Sequence, residues 1–169
     1  MSDIRTVMFR PFDAGEAPFF DWSEALPSLA DDDGLETAVI LSLFTDRRAA
    51  DDDALPDGTD DRRGWWGDAY PDLPGDRVGS RLWLLFREKD MQAVVNRARE
   101  YVEEALAWLV EDGIARRVVV QTGWVDRTSG ALSDIRTINS RPGVLGIGIT
   151  IYRPDTPPDR FKFETFWSR

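Results

Sequence analysis

The clearest pattern in the chain is an apolar stripe at helical spacing between residues 90 and 113. Apolar residues recur on one helical face from Met91 to Leu109, with Asp90 at a favoured N-cap position and Gly113 at a favoured C-cap position. The pattern predicts a helix of about 20 residues, which spans roughly 30 Å. A helix of that length can back a small sheet.

Two shorter helical segments are predicted before it. Asp33 and Glu36 have the spacing of a capping box, and the run AVILSLF at residues 38–44 then repeats at helical spacing, although it also fits a buried strand. Ser80 is a candidate cap for a short helix over the apolar residues 82–86.

After Gly113 the pattern changes to strands. Three segments are rich in β-branched or aromatic residues, namely RRVVVQTGWV (116–125), GVLGIGITIY (143–152) and RFKFETFW (160–167). Glycines alternate along one face of the second segment, which predicts that another backbone or a bulky ring approaches there. Helical segments followed by strands indicate an α+β fold, in which a long helix packs on a small, mostly antiparallel C-terminal sheet.

Two stretches lack a regular repeat. Residues 1–34 are interrupted by prolines yet are too apolar for a disordered tail, so we expect an extended arm that lies on its own domain or on a neighbour. Residues 46–79 form a long loop, a type that is usually functional or mobile. The expected organisation is an N-terminal arm, 1–34, followed by a single α+β domain, 35–169.

The long loop contains the segment RRGWWGDAY at residues 62–70. Neither a helix nor a strand places adjacent rings on one face, and glycines flank the Trp pair, so we predict an ordered loop that carries bulky anchors. Two interpretations stay open: the rings plug the protein's own core, or they face a partner. The candidate interface residues of the loop are of the types that dominate binding hot spots, namely Arg62, Arg63, Trp65, Trp66 and Tyr70.

The last predicted strand is a second candidate interface. An edge strand can pair with a strand of another chain, and its alternative is an ordinary edge covered by the N-terminal arm. The aromatic candidates that share one side of this strand are Phe161, Phe163 and Trp167.

The composition of the chain limits the classes of function that we expect for it. The chain has 169 residues, no cysteine, no histidine and a formal net charge of −10. It therefore forms no disulfide and lacks the commonest general base, while its acidic balance argues against a nucleic-acid partner. No apolar run is long enough for a membrane span, and no signal-peptide pattern is expected. These features favour a binding role without a cofactor over catalysis, in a chain made in a reducing cytoplasm.

The aspartate-rich stretch at residues 51–61 is a candidate calcium loop. An EF-hand loop starting at Asp53 would need oxygen ligands at the positions of Leu55 and Gly64, so the pattern fails. A solvated acidic loop is the preferred interpretation, and no metal site is predicted. The alternative is an improvised site formed by Asp51, Asp52, Asp53 and Asp60.

Four segments carry a family resemblance. AVILSLFTDRRA, RGWWGD, GSRLWLLFREK and AREYVEEALAWLVEDGIA occur in this order between residues 35 and 117. In sequence and spacing the chain resembles the Mu-like phage baseplate family, and through it the wider sheath-initiator family, whose members are lysozyme-named but non-catalytic. Many of those relatives carry a Glu-Pro-Arg triplet before the first strand. Here Glu-Pro is missing, and Arg116 and Arg117 supply the basic group at that place.

The resemblance implies a non-enzymatic structural subunit of a contractile-tail baseplate wedge. Such a subunit is expected to nucleate the sheath by strand addition, to be located in the virion tail baseplate after assembly in the host cytoplasm, and to contact wedge proteins, the tail sheath protein and the tail tube or hub. Two alternatives stay open: a peptidoglycan hydrolase associated with a phage tail, and a free-standing acidic adaptor or inhibitor.

Overall fold

The computed structural model of the chain describes residues 3–4, 6–9, 19–22, 24–25, 28–29, 31–32, 34–56, 58–70, 77–86, 92–133 and 140–166. The chain forms two compact units, Met1–Leu41 and Ser42–Arg169.

The described part of the first unit consists of short antiparallel strand pairs. They are β1 (Asp3–Ile4) with β6 (Asp31–Asp32), β2 (Thr6–Phe9) with β3 (Phe19–Trp22), and β4 (Glu24–Ala25) with β5 (Ser28–Leu29). The division into an arm and a domain at residue 34 stays a prediction.

A helix begins in the first unit and ends in the second. This helix, α1, spans Leu35–Phe44, and the first-turn N–H of Ala38 donates to the carbonyl of Gly34 at 2.9 Å. The helical interpretation of the run AVILSLF is therefore confirmed, and the strand alternative is wrong. Asp33 lies outside the described residues, so the capping box is not described.

The amphipathic stripe forms two helices where one was predicted. They are α2 (Gln92–Ala105) and α3 (Trp108–Glu111), and Asp90 and Met91 lie outside the described residues. At the junction the N–H of Leu109 bonds back only three residues, to Leu106, at 3.1 Å. This tighter turn keeps Leu106 and Leu109 both buried, so the apolar pattern continues through a break in the helix.

The helix pair ends at the predicted glycine. Gly113 has a φ of +72°, and its N–H donates to the carbonyl of Val110 at 3.1 Å. Glycine adopts this left-handed conformation without a Cβ penalty, which explains the stop.

Four of the described strands form one antiparallel sheet in the order β10-β9-β7-β8. The strands are β7 (Arg117–Asp126), β8 (Leu132–Ser133), β9 (Ser140–Tyr152) and β10 (Asp159–Phe166). The fold is thus α+β, as the order of patterns predicted, and each of the three predicted strands is present.

The short strand β8 was not predicted, and it depends on a polar turn. The carboxylate Oδ1 of Asp126 accepts hydrogen bonds from the backbone N–H groups of Thr128 and Ser129 and from the Ser129 hydroxyl, at 2.8–2.9 Å. Donation from Ser129, with a smaller contribution from Thr128, holds the pKa of Asp126 below its ordinary value. The turn brings Leu132 and Ser133 back beside β7.

One face of the sheet is the core. The side chains of Leu145, Ile147, Ile149 and Ile151 are buried, and their alternation along β9 places them on one face. Helix α2 packs on β7, where the hydroxyl of Thr122 donates to the carbonyl of Val95 at 2.9 Å. Each fully buried aliphatic side chain contributes about 1.5–3 kcal/mol through the hydrophobic effect.

The opposite face explains the glycines of β9. A Cβ on Gly146 would lie 2.2 Å from a terminal methyl of Leu132, and one on Gly148 would lie 3.4 Å from the other methyl. A neighbour does approach this face, as predicted, and its nearest atoms belong to the aliphatic side chain of Leu132.

Within the described ranges, the helices are all too short or too polar to cross a bilayer.

Candidate protein-docking site

The site is built on a contact between two segments that are distant in sequence. The N–H of Arg47 donates to the carbonyl of Ser80 at 3.0 Å, and the N–H of Ser80 donates to the carbonyl of Thr45 at 2.9 Å. Gly79 permits this approach, because its φ is +101° and a Cβ there would lie 2.3 Å from the Thr45 oxygen. The Ser80 hydroxyl also donates to the carbonyl of Leu43.

A buried indole lies next to this contact. Trp83 belongs to the 3-10 helix Leu82–Leu85, is 1% exposed and donates its indole N–H to the carbonyl of Arg47 at 2.8 Å. The N-cap residue is Arg81, which makes no side-chain cap bond, so the predicted cap at Ser80 is wrong by one residue, although the Ser80 hydroxyl accepts from the N–H of Leu82 at 3.3 Å. The bond from the indole N–H to the Arg47 carbonyl satisfies the one polar group of the Trp83 ring, which is otherwise buried in the core.

Arg63 lies over the Trp83 ring and leads into the Trp loop, which we define as Gly64–Tyr70. Its guanidinium carbon is 4.4 Å from the Trp83 ring centroid, and its Nη1 is 2.8 Å from the Asp46 carboxylate. The backbone φ of Arg63 is +49°, a left-handed conformation that non-glycine residues adopt only when their surroundings hold them. The two side-chain contacts supply that constraint.

The acidic stretch before the Trp loop is also held by specific bonds. The N–H of Ala49 donates to the carbonyl of Arg62 at 3.0 Å, and the Arg62 guanidinium donates to the carbonyls of Ala50 and, at 2.9 Å, Asp51. The prediction of an irregular connection is confirmed for this part, but its backbone is ordered by these bonds.

Arg81 joins the acidic stretch to helix α2. Its guanidinium lies 3.0 Å from the Asp53 carboxylate, 2.9 Å from that of Glu104 and 4.7 Å from the centroid of the Tyr101 ring. Burial lowers the pKa of Arg81, but the hydrogen bonds that its guanidinium donates to Asp53 and Glu104, together with the charges of these carboxylates, outweigh burial and raise the pKa. Burial, followed by the nearby Asp53 charge, raises the pKa of Tyr101.

The Asp53 carboxylate thus forms an ion pair with Arg81, whereas the alternative calcium site would need this carboxylate as a free ligand. Among the described residues, no group of three or more acidic side chains is arranged to hold a metal ion.

The Trp loop departs from the predicted irregular structure at its second tryptophan. Trp66–Ala69 is one turn of 3-10 helix, in which the N–H of Tyr70 donates to the carbonyl of Gly67 at 3.0 Å. The irregular interpretation is wrong for these residues. The turn is fixed from outside, because the Asp68 carboxylate accepts from the N–H of Val78 at 3.1 Å.

The aromatic side chains of the loop are exposed. Trp65, Trp66 and Tyr70 are 41%, 78% and 85% exposed, and the two indole rings lie 5.5 Å apart between centroids. The Trp65 ring folds over Gly67, where a Cβ would lie 2.3 Å from the ring. Glycine at this position lets the first ring lie against the backbone while the second points outward.

A pocket of about 250 Å³ opens beside the two rings. It is lined by Arg48, Arg63, Gly64, Trp65, Trp66, Asp68, Ala69 and Arg77. The sequence interpretation did not name Arg48, Asp68 and Arg77 as site residues. Arg48 and Arg77 come from segments that are distant from the Trp loop, and Asp68, although it lies in the loop, is not among the residue types that dominate hot spots.

The other candidate interface residues lie on the sheet, away from this pocket's lining. Arg116 and Arg117 are exposed at the start of β7, and the Arg117 guanidinium lies 4.3 Å from the Tyr152 ring. Phe163 is 5% exposed, with its ring 5.7 Å from Phe44 and 6.4 Å from Phe161, which is partly exposed. Trp167 lies outside the described residues.

Three of the segments on which the family resemblance depends therefore meet at one place. The Thr45–Arg48 run, the Trp loop and the segment that begins at Gly79 are joined by the hydrogen bonds and ring contacts described above.

Comparison with known proteins agrees with that resemblance. A family profile described as phage protein GP46 matches residues 35–158. Baseplate protein gp46 of Escherichia phage Mu is 56% identical over 99 residues, which cover 56% of this chain and 66% of the Mu protein. The Mu-like prophage FluMu protein gp46 of Haemophilus influenzae is 36% identical over 141 residues, which cover 83% of this chain and 84% of that protein.

The match spans slightly less than two thirds of the Mu protein's length and most of the Haemophilus protein's length. The profile match alone covers well over half of this chain. The chain belongs to the phage protein GP46 family of Mu-like phages.

Proposed function

We propose that this chain is a non-enzymatic structural subunit of a phage tail baseplate that docks on other baseplate proteins through the Trp loop. Family membership and the baseplate name of the Mu relative support the location. The observation that carries the docking role is the exposure of Trp66 and Tyr70 on an anchored loop. Large aromatic surface that water covers in the free chain is typical of hot spots at protein interfaces.

The anchoring of the loop matters for affinity. Ordering a flexible loop on binding costs conformational entropy, and a preformed loop avoids most of that cost. In the free chain the Arg63 contacts already fix the residue that leads into the Trp loop, and the Asp68–Val78 bond fixes the Trp66 turn itself. Each indole that becomes buried at an interface is then worth about 2–4 kcal/mol.

In finer detail, we propose that the subunit belongs to the baseplate wedge and nucleates the sheath by strand addition at β10. All eight residues of β10 pair with β9, and β10 pairs with no other described strand. Its second edge therefore offers backbone N–H and C=O groups to an incoming strand. Because the Phe163 ring is buried, the backbone of β10 would contribute more than that ring to binding an incoming strand.

The proposed partners are thus wedge proteins at the Trp loop and the Arg116–Arg117 region, the tail sheath protein at β10, and the tail tube or hub. Assembly in the host cytoplasm and a single domain over residues 35–169 belong to the same proposal. The start of the family match at residue 35 supports that boundary.

The test of docking is a double substitution, Trp65→Ala with Trp66→Ala, in a tail-assembly system that lacks the native chain. We expect a folded variant that no longer enters baseplates, because the substitutions remove exposed rings and little core. The matched control is Val110→Ala with Ile114→Ala, which removes exposed apolar surface from another element. Normal incorporation of the Trp variant, or its unfolding in isolation, would contradict the proposal.

Strand addition is tested by proline substitutions at neighbouring positions of β10, Arg160→Pro and Phe161→Pro. Successive N–H groups of a strand point to opposite sides, so one substitution removes a bond to β9 and the other an outward N–H. We expect one of the two variants to stay folded and to lose binding to purified sheath protein. If the folded variant binds the sheath protein as the native chain does, strand addition at β10 is wrong.

The proposal that the chain is not an enzyme has a separate test. The pocket at the Trp loop contains one carboxylate, Asp68, whereas glycoside cleavage needs a pair. We expect purified chain to leave peptidoglycan intact in a clearing assay. Measurable turnover would contradict this part of the proposal.

A further inference from the structure

We infer that the pocket beside the Trp loop binds a carboxylate side chain of a partner's peptide segment, through Arg48 and Arg77. The inference rests on the proposed docking role and names the chemistry of the partner at that surface. Both arginines line the pocket and are exposed, and neither forms an ion pair with another described residue.

The neighbouring arginines behave differently. Arg47, Arg62, Arg63 and Arg81 each have a carboxylate within ion-pair distance. In a chain with 31 acidic and 21 basic residues, an intramolecular partner for a surface arginine is easy to supply. Among the described arginines between residues 46 and 86, Arg48 and Arg77 are the two without an ion pair, and both line the pocket. A guanidinium fork matches a carboxylate geometrically.

The pocket is preformed on the side of Arg48. A Cβ on Gly64 would lie 3.0 Å from the Arg48 Cβ, so the backbone of the Trp loop packs closely on the base of this side chain. Arg63, the third lining arginine, is held by Asp46 and Trp83. On that side only the end of the Arg48 side chain needs to be ordered on binding, which limits the entropic cost.

A peptide carboxylate fits the pocket better than a phosphate group. Asp68 also lines it, and its negative charge disfavours a dianion more than a single carboxylate. The walls formed by Trp65 and Trp66 are apolar and suit the methylene groups of a glutamate or the backbone beside it. At about 250 Å³ the pocket is smaller than the cavities of roughly 300–1,000 Å³ that bind drug-sized ligands, which fits a side chain.

The inference is tested by NMR titration of the full chain with an end-blocked hexaglutamate peptide, and with hexaglutamine as the neutral control. We expect hexaglutamate to shift the Arg48 and Arg77 Nε–H signals and the Trp66 indole N–H signal, with a Kd of about 1 mM or tighter. Hexaglutamine should leave these signals in place.

The matched variants are Arg48→Gln with Arg77→Gln, and Arg127→Gln as an exposed arginine in the turn after β7. The double variant should weaken hexaglutamate binding at least about tenfold, since charge-assisted hydrogen bonds are lost. The control variant should bind as the native chain does. Equal shifts with both peptides, unchanged binding by the double variant, or no shift at all would overturn the inference.

Inorganic phosphate is titrated in parallel. If phosphate shifts these signals and hexaglutamate does not, the pocket takes phosphate and the peptide inference is wrong. The docking proposal is judged separately by the Trp65→Ala, Trp66→Ala variant: its failure to assemble, combined with no peptide binding, would leave docking standing and remove only the carboxylate site.

Discussion

Trp83 and Trp66 belong to segments that touch each other, yet their surroundings are opposite. Trp83 is 1% exposed, its N–H is bonded to a carbonyl, and an arginine covers its ring. Trp66 is 78% exposed, at the start of a 3-10 turn whose backbone is nevertheless fixed. The Trp83 ring and the polar bonds beside it fix the conformation of the Trp loop. The Trp66 ring is held at the surface by that loop and is not part of the core.

The difference shows how an apolar side chain is held at a surface. Burial alone would draw both rings inside, because each indole gains free energy when it leaves water. The loop resists this through the close backbone approach at Gly79, the packing of the Trp65 ring on Gly67, and the Arg63 and Asp68 bonds. Trp66 therefore stays exposed to water, as the proposed docking role requires.

The largest effect is expected from Trp83→Ala. Removing a fully buried indole leaves a cavity and also leaves the carbonyl of Arg47 without its donor, so the free energy of unfolding should fall by about 3–5 kcal/mol. Chemical denaturation of the purified variant measures it. A loss below about 1 kcal/mol would show that Trp83 is not the inner anchor of the cluster.

Gly79→Ala should have the next largest effect. A methyl group there would meet the Thr45 carbonyl and would also be strained by the positive φ, so we expect a loss of about 2–4 kcal/mol. Gly58→Ala is the matched control, since Gly58 has a φ of +68° but nothing within 4 Å of an added Cβ. The control isolates the strain, at about 1 kcal/mol. Equal losses would mean that the close approach is unimportant.

Arg63→Ala tests the link between the inner and the outer ring. The ion pair is partly exposed, so its loss together with that of the ring contact should cost only about 1 kcal/mol. The Trp loop should nonetheless become accessible to proteolysis, because its fixed start is lost. Limited proteolysis beside the Arg127→Ala control checks this, and a cleavage pattern like that of the native chain would argue against the link.

Trp66→Ala should change the free energy of unfolding least, by no more than about 0.5 kcal/mol, since the ring is mostly in water. The measurement is the same denaturation curve as for Trp83→Ala. A loss comparable to that of Trp83→Ala would abolish the contrast between the two rings.

The sequence could predict most of the helices and strands of the second unit, but not the break between α2 and α3. The period of the apolar stripe located α2, and enrichment in β-branched and aromatic residues located β7, β9 and β10, because both patterns depend on neighbours in sequence. The break after Ala105 carries no proline or glycine, so no local signal marked it.

The candidate site was predictable only in part. Adjacent tryptophans between glycines identified the loop, but the 3-10 turn depends on a bond from Val78 to Asp68, which no local pattern shows. The pocket likewise unites Arg48 and Arg77 from distant segments. Sequence patterns name residue types at such a site, whereas tertiary contacts decide which of them share a surface.

The Trp loop is exposed in the free chain, and the proposed docking role requires that it is covered in the assembled baseplate. Hydroxyl-radical footprinting of Trp66, in the purified chain and in intact tail particles, measures its exposure in both states. We predict rapid oxidation of the ring in the free chain and strong protection in the particle. Equal oxidation in both states, or protection already in the free chain, would contradict the claim.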